Sequence, residues 1–236
     1  MRRLARMTAP HWLALYAGLL AAWVFVWVGS TEVAWATLIR DLCATPVVAA
    51  GWGGAFAMWV VMAAAMMLPT ALPAFATHDE IAEAHGTGGG AALVAGYGFV
   101  WFGFAGLAAT AQVFLARLGL GDGVWVAAGL LGLAGAYQFS SWKDACLSRC
   151  RQPLTFFMGY WAEGPWRMGL RLGATCLGCC WALMALGLIG GAMSLGFMAL
   201  ATCLMMMEKL ARGPHLTHAI GFACFCGAGY LIGGPL

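Results

Sequence analysis

Apolar runs long enough to cross a bilayer recur along the whole chain, and no other feature constrains its fold as strongly. A helix rising ~1.5 Å per residue needs about 20 apolar residues to span the hydrocarbon layer. Seven stretches meet or approach that length, at 12–29, 52–76, 91–116, 124–142, 169–190, 192–208 and 217–234, with the sixth the shortest. Only 9% of the residues are charged and 63% are hydrophobic, whereas a soluble domain carries about a quarter charged residues. The expected fold class is all-α: a polytopic transmembrane helix bundle of about seven spans, one integral membrane domain over residues 1–236 with the lipid bilayer as its surroundings.

Lys and Arg accumulate in cytoplasmic loops. With the N-terminus inside, Arg2, Arg3, Arg6, Lys143, Arg149, Arg151, Arg167, Arg171, Lys209 and Arg212 fall on the inner side, and only Arg40 and Arg117 fall outside. The expected orientation is a cytoplasmic N-terminus and an external C-terminus. This bias accounts for the net charge of +3 without a nucleic-acid partner. Residues 1–30 are read as a first span, with "MRRLARM" followed by an apolar run giving a signal-like segment as the other reading.

Two connections are long. Residues 77–90, "THDEIAEAHGTGGG", read as an acidic solvated loop whose His78 and His85, with Asp79, Glu80 and Glu83, offer a possible accessory cation site. Residues 143–168 are basic and aromatic, and Phe156, Phe157, Tyr160, Trp161 and Trp166 suit the headgroup layer. This segment reads as a cytoplasmic interfacial loop, with a short helix broken at Pro165 as its alternative form. Gly129, Gly132 and Gly135, with Gly187 and Gly191, have the small-residue spacing that lets membrane helices approach closely.

Sulfur carries the chemistry. "TCLGCCWALM" at 175–184 puts Cys176, Cys180 and Met184 on one helical stripe with Cys179 beside it, and Met62 and Met66 form a second stripe with Met67 adjacent. Cys146 and Cys150 are one turn apart beyond the fourth span. With entry at Gly169, Cys176 lies about 10 Å and Met184 about 22 Å along the fifth helix, so the soft ligands form a ladder from the inner face to mid-membrane. Thiolates and thioethers select soft transition metals, Cu(I) above all, while a set dominated by Cys also suits zinc. The competing reading is packing, since Cys and Met both fill apolar cores. The expected metal ligands are Cys146, Cys150, Cys176, Cys179, Cys180, Met184, Met62 and Met66, with Met67, Met193, His78, His85, Glu208 and Lys209 as possible accessories. Glu208 and Lys209 read as an interfacial ion pair. No phosphate-binding loop or His-Glu-x-x-His helix is present, and no catalytic residue is assigned.

At "AMMLP" (65–69), "YQFSSWKDACLSRCRQP" (137–153), "CLGCCWALM", Met193 and Glu208-Lys209, the chain resembles the bacterial domain of unknown function 2182 family, described as predicted metal-binding integral membrane proteins. The resemblance implies a multi-pass protein of the bacterial inner membrane with a metal-associated role. Together these readings give a protein that handles or transports Cu(I) through a Cys/Met ladder, with a metal chaperone or membrane complex as possible partner. The other readings are an accessory subunit of a larger membrane complex with a structural zinc site or no metal, and a thiol redox protein.

Overall fold

The computed structural model describes residues 10–30, 47–120, 123–188, 195–211 and 213–234, and these contain helices and connections only. The helices are α1 (Pro10–Ser30), α2 (Val47–Ala84), α3 (Gly90–Arg117), α4 (Val124–Gln138), α5 (Ser141–Arg151), α6 (Pro153–Tyr160), α7 (Pro165–Ala185), α8 (Leu195–Leu210) and α9 (His215–Gly233). Short 3₁₀ turns follow α6 at Trp161–Glu163 and α7 at Leu186–Leu188.

Five of the described helical stretches are long and apolar enough to cross a membrane: Pro10–Val28, Gly51–Ala84, Gly90–Arg117, Pro165–Leu188 and His215–Gly233. α4 has 15 residues and α8 has 16, so at ~1.5 Å per residue each falls short of the ~30 Å layer. Among the described residues, two of the seven expected spans are therefore seen only as apolar helices of less than full crossing length, and residues 189–194 ahead of α8 lie outside the described residues. Residues 1–9 and 31–46, and with them Arg2, Arg3, Arg6 and Arg40, lie outside the described residues, as do Met193 and Gly191.

Both expected loops are largely helical. α2 runs on through Thr77 to Ala84, and His78 at its end is fully buried rather than solvated. The aromatic segment is helical, folding as α5, α6 and a 3₁₀ turn, with the break to the next helix at Gly164-Pro165. The Ser140 hydroxyl caps α5 by accepting from the Lys143 amide, with Asp144 in the first turn and Arg149 and Arg151 in the last, charges that complement the helix dipole. Pro153 and Pro165 start the next two helices, where a missing N–H costs nothing.

α2 carries Pro69 and Pro73 inside it. A proline leaves the carbonyl four residues earlier without its helical donor, and in an apolar surrounding that group needs another. The Trp23 indole N–H of α1 donates to the carbonyl of Ala65, at 3.0 Å. The proline thus creates the acceptor that fastens α1 to α2.

α7 is the hub of the bundle, packed against α3, α5 and α4. Its crossing with α3 is backbone to backbone. A Cβ on Gly169 would overlap the Leu93 carbonyl, one on Gly96 would overlap the Trp166 carbonyl, and one on Gly173 would lie 2.9 Å from Val100 Cβ. These glycines set the close approach, whereas Gly129 and Gly132, expected to do so, face open space. Gly135 does pack, against Phe225 and the Gly221 carbonyl of α9.

Candidate metal centre

Cys176, Cys179 and Cys180 share one face of α7, because offsets of three and four residues coincide on a helix. Their sulfurs all lie within 4.8 Å of one another, with Cys179 Sγ 3.1 Å from Cys180 Sγ. Each of the three residues is 2% exposed. The Cys179 thiol also donates to the Cys176 carbonyl, at 3.1 Å.

α5 brings a fourth sulfur. Cys150 Sγ lies 3.9 Å from Cys179 Sγ, so a helix outside the long apolar segments meets α7 at the thiol cluster. The contact depends on Gly178: a Cβ there would stand 2.6 Å from Cys146 Sγ. Cys146 therefore packs on the bare backbone beside the cluster, while the Tyr137 hydroxyl donates to the Gly178 carbonyl. Hydrogen bonding with Cys176, reinforced by burial, holds the Cys150 thiol well above the ordinary range. Burial pushes the Cys146 thiol up as well. All cysteines among the described residues are free thiols.

Polar groups from two further helices close on Cys176, each also bonded to α2. The Tyr97 hydroxyl of α3 lies 3.3 Å from its sulfur and 3.2 Å from the Met67 carbonyl of α2. Lys209 Nζ of α8 donates to Cys176 Sγ at 3.3 Å and to the Thr70 hydroxyl of α2 at 2.8 Å.

Glu208 and Lys209 do not pair with each other, which corrects the sequence expectation. Successive helical residues point about 100° apart, and the two part accordingly. Both Glu208 carboxylate oxygens accept from Lys143 Nζ at 2.9 Å, in a pair whose side chains are 1% and 2% exposed. Arg151 donates to the Glu208 carbonyl at 3.0 and 2.8 Å and to the Gly213 carbonyl at 3.2 Å. These bonds satisfy carbonyls at the end of α8 and fix the helix on which Lys209 sits.

The methionines are buried but spread along the bundle. Met62, Met66, Met67 and Met184 are fully enclosed in the core that contains the thiols. Met62 Sδ and Cε pack beside Gly187, eleven residues and roughly 16 Å of helix from Cys176. Met67 lies at the level of Cys176 through Tyr97, so α2 and α7 run antiparallel. Among the described residues no hydrogen bond joins a methionine sulfur to a thiol.

His78 and His85 belong elsewhere. His78 sits between Phe157 and Trp161, each ring 5.5 Å away, with Nδ1 3.2 Å from the Asp79 carboxylate. Asp79 also receives His11 Nε2 at 2.9 Å and the Trp12 indole N–H at 2.7 Å. His85 Nδ1 donates to the Ile81 carbonyl at 2.9 Å and its ring lies 5.3 Å from Trp161. These imidazoles hold α1, α2 and the Trp161 turn together. Tyr97, Thr70 and Lys143, the partner of Glu208, are the site neighbours that sequence reasoning missed. They come from distant helices, and no spacing rule connects them to the cysteines.

Fold and site define a class: an all-helical protein with membrane-length apolar helices and a buried cluster of soft ligands. Residues 56–231 match the PpoB2 family, described as copper chaperone, and the chain belongs to that family. The match supports a copper-related family without bearing on the name domain of unknown function 2182. No curated protein and no solved structure matches the chain.

Proposed function

We propose that the protein is an integral membrane copper-handling protein that takes Cu(I) as cargo at Cys150, Cys176, Cys179 and Cys180. The observation that carries this reading is the convergence of sulfurs from α5 and α7, three of them within 4.8 Å of one another in a buried site. Soft thiolates favour Cu(I), and the copper-chaperone family description agrees with that choice. Cys146 lies at the entry beside Gly178. Met184, Met62, Met66 and Met67 extend the soft-ligand path along α2 and α7, and Met193 falls outside the described residues. In this reading the protein resides in the bacterial inner membrane, exchanging copper with a soluble chaperone or a membrane-complex partner.

A structural zinc site is the second reading, favoured by the presence of four thiols, the number a closed zinc site uses. Elemental analysis of protein purified in mild detergent separates the two. The copper reading expects about one copper per chain, lost in the Cys176→Ser/Cys180→Ser variant. Zinc in place of copper, or no transition metal at all, refutes it.

A further inference from the structure

Lys209 stands out among the residues around the thiols because it brings a formal charge. Its ammonium donates to Cys176 Sγ at 3.3 Å and to Thr70 Oγ1 at 2.8 Å. Of the other cations nearby, Lys143 is held by both oxygens of Glu208, Arg151 is turned to the carbonyls of Glu208 and Gly213, and Arg149 acts on Cys146, beside the cluster. Tyr97, also at Cys176, contributes a neutral hydroxyl.

A metal site with little access to water favours a net charge near zero, because uncompensated charge is penalised where solvation is poor. Cu(I) held by two thiolates carries one negative charge, and one ammonium cancels it. Cu(I) held by three thiolates keeps one negative charge beside the same ammonium. A zinc ion with four thiolates does so too.

Resting on the copper reading above, we propose that Lys209 is the specificity-determining counter-charge of the site, limiting Cu(I) to two thiolates, Cys176 and one neighbour. The remaining thiols of the cluster then stay protonated beside the bound ion, available to receive it in a ligand exchange. Each exchange forms one Cu–S bond and breaks another, and the proton of the incoming thiol passes to the departing sulfur. The number of thiolates, and hence the balance with Lys209, is unchanged. The Lys143–Glu208 pair and the Arg151 bonds serve as positioning contacts, since they anchor the turn of α8 that carries Lys209.

The test uses full-length protein in lipid nanodiscs loaded with Cu(I), with X-ray absorption for the coordination number and competition with a chromogenic Cu(I) chelator for affinity. The wild type is expected to give two-coordinate copper with sulfur ligands. Lys209→Met is expected to lose about 10- to 100-fold in Cu(I) affinity, the usual range for an outer partner of a metal ligand, and Lys209→Arg to recover most of it. Three-coordinate copper in the wild type overturns the proposal without any variant, as does unchanged affinity in Lys209→Met. Should Lys209→Met misfold, Lys209→Gln and the wild-type coordination number decide. A wild type that binds no Cu(I) refutes the copper reading itself, an outcome distinct from copper bound with three sulfurs.

Discussion

Replacing Lys143 by Met tests whether the polar contacts around α8 hold the site together. Lys143 Nζ sits 2.9 Å from both Glu208 oxygens, and the two side chains are 1% and 2% exposed. Methionine keeps much of the side-chain volume and removes the charge, leaving the carboxylate enclosed without its cation. Breaking one partner of such a pair costs about 3–5 kcal/mol, whereas replacing both partners by apolar groups is often close to neutral. Lys143→Met should therefore lose about 3–5 kcal/mol of stability, and Lys143→Met/Glu208→Leu should recover most of that loss. Equilibrium unfolding in mixed micelles, followed by far-ultraviolet circular dichroism, compares the wild type, both single variants and the double. A single-variant loss below about 1 kcal/mol, in the range of exposed pairs, would refute the buried-pair argument. A double variant as unstable as the two singles added together would refute it equally.

Two further outcomes follow from the same geometry. Gly169→Ala places a methyl into the Leu93 carbonyl at the α3–α7 crossing, where backbone lies on both sides, and should cost at least about 1–3 kcal/mol. Gly129→Ala, facing open space, should be neutral or slightly stabilising, and thermal unfolding of the two variants side by side checks the contrast. Because hydrogen bonding and burial keep Cys150 protonated at neutral pH, its use as a thiolate ligand requires loss of a proton. The sign follows: metal binding is favoured as pH rises toward the raised thiol pKa and weakened as pH falls. Apparent Cu(I) affinity should then change by about tenfold per pH unit for each proton released, and titrations at pH 6 and 7 measure it.

Much of the architecture was legible in the sequence because the bilayer leaves so few solutions: apolar segments of this length form helices. What the hydropathy pattern misjudged was the polar connections. Thr77 to Ala84 reads as a loop by composition, yet α2 continues through it because His78 finds an aromatic pocket from α6 and the Trp161 turn. The packing glycines were misplaced for a related reason. Spacing singled out Gly129 and Gly132, but only three-dimensional contact distinguishes a glycine facing open space from Gly96 or Gly169 at a helix crossing. Within the site, the offsets of Cys176, Cys179 and Cys180 determine their shared face directly. The arrival of Cys150 required knowing that α5 folds back over Gly178, and nothing in Glu208-Lys209 signals that adjacent residues serve an ion pair and a thiol cluster separately.

Cysteine-by-cysteine alkylation, read by mass spectrometry with and without one equivalent of Cu(I), tests the central claim most directly. If sulfurs from α5 and α7 form one site, copper held by two of the four thiols at a time and exchanging among them should slow labelling of Cys150, Cys176, Cys179 and Cys180 alike, leaving labelling of the exposed Cys203 and Cys226 unchanged. Protection of Cys203 or Cys226 instead, or unaltered labelling of all four clustered thiols by bound copper, would contradict the account.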